Sequence, residues 1–202
     1  MSEDPYSQLV SLEVDRPIWQ RFFSVAPLVV IGSQEEDGSA DLAPKHMVTP
    51  LGWENYFGFV CAPTHSTYRN IRREESFTVS YLRPDQVVLA SLSAAPRCED
   101  GSKSMLQAVP TLPSRLSDGV FMRDSYLLLE CDLDRVVDGF GPNSLIAGRV
   151  TAAYAHRDAL RGDERDDQDV LSACPLLAYL HPNRFAEVAA SQSFPLPAGF
   201  RR

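Results

Sequence analysis

From residue 126 to 137 the chain alternates with a period of two. Leu129, Cys131 and Leu133 fall on one side, while Glu130, Asp132 and Asp134 fall on the other. This pattern marks an antiparallel strand with one face on a core and the other in water. Gly139-Phe-Gly-Pro-Asn143 then supplies a turn, and residues 144–156 return as a second long strand. Gly148 inside that return predicts a bulge or a close backbone approach. A long hairpin accompanied by several short strands and few strong helices favours an antiparallel β-barrel over a parallel α/β sheet.

The shorter elements are punctuated by Gly and Pro. Leu28-Val-Val-Ile31 is a β-branched strand, residues 34–38 turn on Gly38, and residues 39–43 return. Residues 56–60 form an apolar strand, residues 67–74 a short helix, and residues 77–82 a strand that Pro84 stops. Residues 84–95 suit a helix whose buried face carries Val87, Val88, Ser91 and Leu92. Residues 96–118 are irregular, broken by Pro110 and Pro113, and long enough to serve as a site cover, an interface or a partly helical segment. The acidic run 162–169 reads as a solvated loop.

Charge and cysteine usage narrow the function. A net charge of −8 opposes nucleic-acid binding, which needs a basic face. No apolar stretch is long enough to span a bilayer, and the acidic start lacks the features of a signal peptide, so a cytoplasmic location is expected. Cys61, Cys98, Cys131 and Cys174 form no Cys-x-x-Cys pair, and the histidines at 46, 65, 156 and 181 are scattered, so no metal site is expected. Cys61 and Cys131, inside apolar runs, read as buried free thiols. Rossmann, Walker and nucleophile-elbow motifs are absent from the sequence. The acids Asp132 and Asp134 belong to one polar strand face.

Two segments carry chemistry. In Cys61-Ala-Pro-Thr-His-Ser-Thr-Tyr-Arg-Asn-Ile71 an apolar strand runs into a hydroxyl-bearing loop that opens a helix. Free N–H groups at a helix start attract anions, and Ser66, Thr67 and Arg69 can add donors and charge, which makes a phosphate seat. The same residues also fit a plain N-cap by Ser66 or Thr67. The second segment, Ala40-Asp-Leu-Ala-Pro-Lys-His-Met-Val-Thr-Pro50, leaves a strand and interleaves polar with small and apolar residues; Pro44 and Pro50 read as loop markers.

Taken in order, these pieces resemble the flavin reductase-like family, whose fold is the FMN-binding split barrel. The likeness begins at Ala26-Pro-Leu-Val-Val-Ile31 and continues through Asp37-Gly38, Leu42-Ala-Pro44 and Thr67-x-x-Asn-Ile71. It then takes in the strand at 77–82 and Leu145-Ile-Ala-Gly-Arg-Val150. The resemblance implies one mainly β domain over residues 1–202, core roughly 16–185: a Greek-key-like antiparallel barrel with a few short helices. It places the isoalloxazine ring along Ala43, Pro44, Lys45, His46, Met47 and Val48, and the phosphate at His65, Ser66, Thr67 and Arg69. Lys103 matches a family lysine that approaches the flavin. Three positions depart from the family pattern: Lys45 stands where an aromatic is frequent, His46 where Ser is, and Asp41 where Asn is.

The implied activity is an NAD(P)H-dependent flavin reductase, in which NADH or NADPH passes hydride from its C4 to flavin N5. FMN is the expected cofactor, with FAD as the alternative. The protein's part is to orient the rings and stabilise negative charge on the reduced flavin, with Lys45 and His46 as candidates for tuning the ring. A homodimer is expected, with residues 96–117 as part of the contact, and a monooxygenase is a candidate partner. The alternatives are an FMN-binding electron carrier, an FMN-dependent oxidase of a small molecule on the same fold, and a barrel that binds no flavin.

Overall fold

In the computed structural model, which describes residues 5–99, 101–162, 164–197 and 199, the strands and helices follow one another along a mainly β chain. They are β1 (Ser24–Pro27), β2 (Val29–Gln34), β3 (Ala40–Lys45), β4 (Val48–Pro50), β5 (Tyr56–Cys61), α1 (Ser66–Glu74), β6 (Ser76–Tyr81) and α2 (Val87–Ser93). The second half adds β7 (Thr111–Pro113), β8 (Val120–Met122), β9 (Leu127–Phe140), β10 (Asn143–Ala155), α3 (Asp167–Ala173), β11 (Leu176–His181) and β12 (Arg184–Val188). Strands β9 and β10 are the long hairpin that the alternation predicted, turning at Gly141 and Pro142.

Seven strands pair in the order β3-β2-β6-β9-β10-β5-β4. Strands β3 and β4 are consecutive in the chain, linked by His46 and Met47 alone, yet they occupy opposite edges of this order. Three peptide units reach at most about 11 Å, so the sheet must curl until its edges approach. No ladder joins β3 to β4 among the described residues, which leaves the barrel split along that seam. The antiparallel barrel expected from the sequence is therefore what forms.

Strand β2 shows how the core is divided. Val29 and Ile31 point into the barrel with Phe57, Phe59, Phe77, Val79, Cys131 and Ile146. Val30 points outward, into a second cluster with Leu42, Leu82, Ala90, Val109, Met122 and Leu177. A strand buried on both faces needs a continuous apolar run, and Leu28–Ile31 is one. Gly148 lies opposite Phe77, where an added Cβ would sit 2.5 Å from the ring, and the β9–β10 register shifts beside it. Cys61 and Cys131 are buried free thiols, as expected.

Several local expectations are corrected. Pro44 and Pro50 lie in strands, paired with Val30 and Phe57, because β3 and β4 are edge strands that tolerate a missing N–H. Helix α2 buries Ala90 and Ser93 and half-buries Leu89 and Leu92, whereas Val88 is exposed. The strand before Pro84 does end, at Tyr81, and Pro84 opens a 3-10 turn, Pro84–Gln86. Within the acidic run, Asp166 caps α3 by accepting from Gln168 N at 2.8 Å, and Asp167 and Asp169 lie in its first turn, where acids complement the helix dipole. Position 163 of that run lies outside the described residues. Glu130, on the polar side of the alternation, is buried: the segment Ser114–Leu116 folds over it.

The segment predicted to be irregular contains a 3-10 helix, Ser104–Ala108, and strand β7. Leu106 and Val109 pack in the outer cluster, which brings Lys103 against β3. The small sheet β1-β11-β12 stands apart from the barrel sheet. Among the described residues, no helix is long and apolar enough to cross a membrane, and no group of three or more His, Cys, Asp or Glu side chains could hold a metal ion.

Candidate functional site

Buried strand β5 delivers the chain into Ala62-Pro63-Thr64-His65, and α1 begins immediately after. Thr67, Asn70 and Ile71 turn inward on α1, a spacing that shares one helix face, and this anchors the helix against the barrel. The N-cap residue is His65, in extended conformation, and it makes no side-chain cap. Ser66 and Thr67 are therefore the first helical residues and not the caps that the sequence allowed. The first turn carries no acidic side chain. A helix start of this kind leaves backbone donors and positive potential for an anion.

That helix start opens on a cleft of about 510 Å³. Strand β3 contributes Asp41, Ala43, Pro44 and Lys45, the loop and α1 contribute Thr64, His65, Ser66, Thr67 and Arg69, and Lys103 enters from the opposite side with the segment after α2. The structure thus brings Ala43, Pro44, Lys45, His65, Ser66, Thr67, Arg69 and Lys103 together, although they come from three separate parts of the chain. A second, larger cleft of about 900 Å³ shares Asp41, Arg69, Arg97 and Lys103 with it and continues toward Glu35 and Arg73.

The floor between the clefts is an ion-pair network. Asp41 is 2% exposed. It accepts from Thr67 Oγ1 at 3.2 Å and pairs with Lys103 Nζ at 2.7 Å and Arg97 at 3.3 Å. Lys103 also donates to the carbonyls of Leu42 at 3.0 Å and Ser93 at 3.3 Å, and Arg97 also pairs with Glu35. Arg69 folds back, donating to Thr64 O at 2.6 Å and Ser66 Oγ at 3.1 Å. The His65 ring is largely open to solvent. Its partial cover in the cleft lowers its pKa first, and repulsion from Lys45, Arg69 and Lys103 lowers it further. Burial raises the pKa of the neighbouring Cys61 thiol, against the opposing pull of Lys45.

His46, Met47 and Val48 do not line this cleft. The His46 ring packs on Tyr179 at 4.6 Å and stacks on His181 at 5.2 Å, so it belongs to the contact between the barrel seam and β11. Burial, then His181 and Lys45, lower its pKa, which keeps the ring neutral at neutral pH. Met47 is 48% exposed, and Val48 pairs with Phe59 and packs against the barrel core. Asp41 and Arg97 are site residues that were not among the predicted ones. Two signals existed for Asp41, its departure from the family's Asn and the alternation in β3 that puts positions 41 and 43 on one face; Arg97 lies in an irregular stretch without one.

Comparison with known proteins gives the same picture. Residues 23–185 match the model of the flavin reductase like domain family. The fold is similar to that of 2-nitrobenzoate 2-nitroreductase from Pseudomonas fluorescens, with a TM-score of 0.77 and 18% identity over 95% of both chains. It is similar to an FMN-binding protein from Thermus thermophilus solved with bound 1-cyclohex-2-enone, at TM-score 0.75 and 18% identity, covering 93% of this chain and 100% of that one. A protein from Shewanella frigidimarina described as a flavin reductase with a split barrel domain aligns at TM-score 0.73 and 17% identity, over 86% and 87% of the two chains. No curated protein matches the chain by sequence.

Proposed function

The chain belongs to the flavin reductase-like family, and on that premise we propose that it binds FMN and acts as an NAD(P)H-dependent flavin reductase. The observation that carries the proposal is the uncapped start of α1, facing a cleft with Lys45, Arg69 and Lys103 on its walls. A dianionic phosphate needs amide, hydroxyl and cationic donors, and a flat ring needs an apolar wall with few polar contacts. Both kinds of surface are present, so the residues fit the cofactor.

When bound, the flavin supplies the ring that takes a hydride from a reduced nicotinamide. The chain's own residues bind and orient it. Ser66 and the first N–H groups of α1 receive the phosphate, and Lys45 and Arg69 add charge there. Ala43 and Pro44 form the apolar wall that excludes water. Thr67 acts indirectly, since its hydroxyl is committed to Asp41. His46 acts from behind the wall, through the backbone it shares with Lys45. No side-chain nucleophile is needed, which agrees with the absence of such motifs from the sequence.

The cleft is open on one side, and we propose that a second copy of the chain closes it. Strand β1 and the segment before it expose Trp19, Phe23 and Val25, each more than half accessible. Apolar surface gathered in this way marks an interaction face.

Titration of the purified protein with FMN, followed by anaerobic addition of NADH and then NADPH, tests the activity. Saturating FMN is expected to raise the melting temperature, since ligand at a hundred times its Kd adds about 2.7 kcal/mol. One of the nicotinamides is expected to bleach the visible flavin bands. Protein that neither binds nor is stabilised by FMN refutes the proposal. Bound flavin that stays coloured with both nicotinamides makes the protein a carrier instead.

A further inference from the structure

We infer that Asp41 weakens the hold of the cleft on the flavin phosphate, so that flavin is exchanged with solution and not retained. The inference rests on the flavin-binding reading above. Four cations line the cleft: Lys45, Arg69, Arg97 and Lys103. Lys103 and Arg97, whose side chains are 14% and 29% exposed, are both paired to Asp41.

Lys103 is fully committed. An ammonium has three donors, and Asp41, Leu42 O and Ser93 O accept from this one. Arg97 divides its charge between Asp41 and Glu35. The hydroxyl of Thr67, one residue inside the helix start, is also directed to Asp41. An arriving phosphate therefore meets the amides of α1 and the outer cations Lys45 and Arg69. Just behind them it meets a fixed, nearly inaccessible carboxylate of its own sign. Like charges in a poorly solvated site repel far more strongly than in water.

A purely architectural role for Asp41, which keeps two cations neutralised, predicts something different. Such a role affects stability and leaves all flavins bound equally well. Repulsion by Asp41 affects only ligands that bear the phosphate, and its loss tightens them.

The test is Asp41→Asn. The one amide oxygen of asparagine can still accept from Lys103, with its NH2 donating to the Thr67 hydroxyl oxygen, while the carbonyls of Leu42 and Ser93 keep the ammonium in place. The site thus gains one net positive charge with its donors unmoved. At low salt the Kd for FMN is expected to fall about tenfold, equivalent to about 1.4 kcal/mol. The FMN off-rate should fall with it, while riboflavin, which lacks the phosphate, binds as to the parent protein. Unchanged or weaker FMN binding by folded D41N overturns the inference, as does equal tightening of riboflavin. Should D41N not fold, Glu35→Gln leaves the charge of Arg97 to neutralise Asp41 alone, without touching Lys103. An FMN Kd about threefold lower supports the inference there, and an unchanged or higher one overturns it. Parent protein that binds neither flavin removes the flavin reading and this inference together, whereas FMN binding that both variants leave unchanged removes the inference alone.

Discussion

The Glu130 carboxylate receives hydrogen bonds from Ser114 Oγ, from Leu116 N at 2.8 Å, from Arg115 N at 3.2 Å and from the Tyr154 hydroxyl at 3.0 Å. One side chain thereby fastens a loop to the outside of the hairpin. Burial pushes its pKa up, but the bonds from Ser114, Leu116, Arg115 and Tyr154 outweigh that and hold it below the ordinary value of 4.5. Because the folded value is depressed, the stabilisation is complete above the unfolded value and is lost as pH falls through the folded one. Glu130→Ala leaves four donors without their acceptor and is expected to cost about 3 kcal/mol in urea unfolding. Glu130→Gln should flatten the fall in melting temperature between neutral pH and about pH 3, because it removes this titration. A variant as stable as the parent, with the same acid slope, would show that the loop is held by other contacts. Alternation gave the side of the sheet on which Glu130 lies. It carried no information on what covers that side, because the cover comes from a distant loop.

Helix α3 shows the same ambiguity at the scale of an element. Acids at a helix start and acids in a solvated loop read alike, and only the Asp166 bond to Gln168 N separates them. Asp166→Ala is expected to cost about 1 kcal/mol, measured by thermal unfolding; no change would mean that Val170 packing and the Gln168 bonds to Ala189 O and Ser191 N hold the helix without the cap. The long strands were legible, because twelve or more residues of period two admit few other readings. Edge strands β3 and β4 were not, since Pro44 and Pro50 suggest loops unless the position at the sheet edge is known. Much of the cleft was legible for a different reason: His65, Ser66, Thr67 and Arg69 fall within five residues, and Ala43, Pro44 and Lys45 are contiguous. The ion pairs behind them were hidden, because Asp41 meets Arg97 and Lys103 only after the chain has folded.

At the scale of the whole molecule, the proposed second copy makes a prediction about mass. Light scattering on the purified protein is expected to give twice the 22.4 kDa of one chain. Phe23→Ser combined with Val25→Ser should shift it toward the monomer and weaken FMN binding if the second copy closes the cleft. Monomeric parent protein would refute the dimer. Exposed apolar side chains at this density are otherwise an aggregation hazard.

The seam between β3 and β4 also sets an order of assembly. Strands β2, β3 and β6 form one ladder and β4 and β5 another, and the two ladders are joined only through β9 and β10. The halves of the barrel that are made first are tethered by His46 and Met47 but share no strand pairing with one another. During synthesis, the residues that line the cleft are all outside the ribosome well before residue 155 is. Until the hairpin joins the two ladders, the nascent chain has every part of the proposed flavin seat but only part of the sheet that carries it.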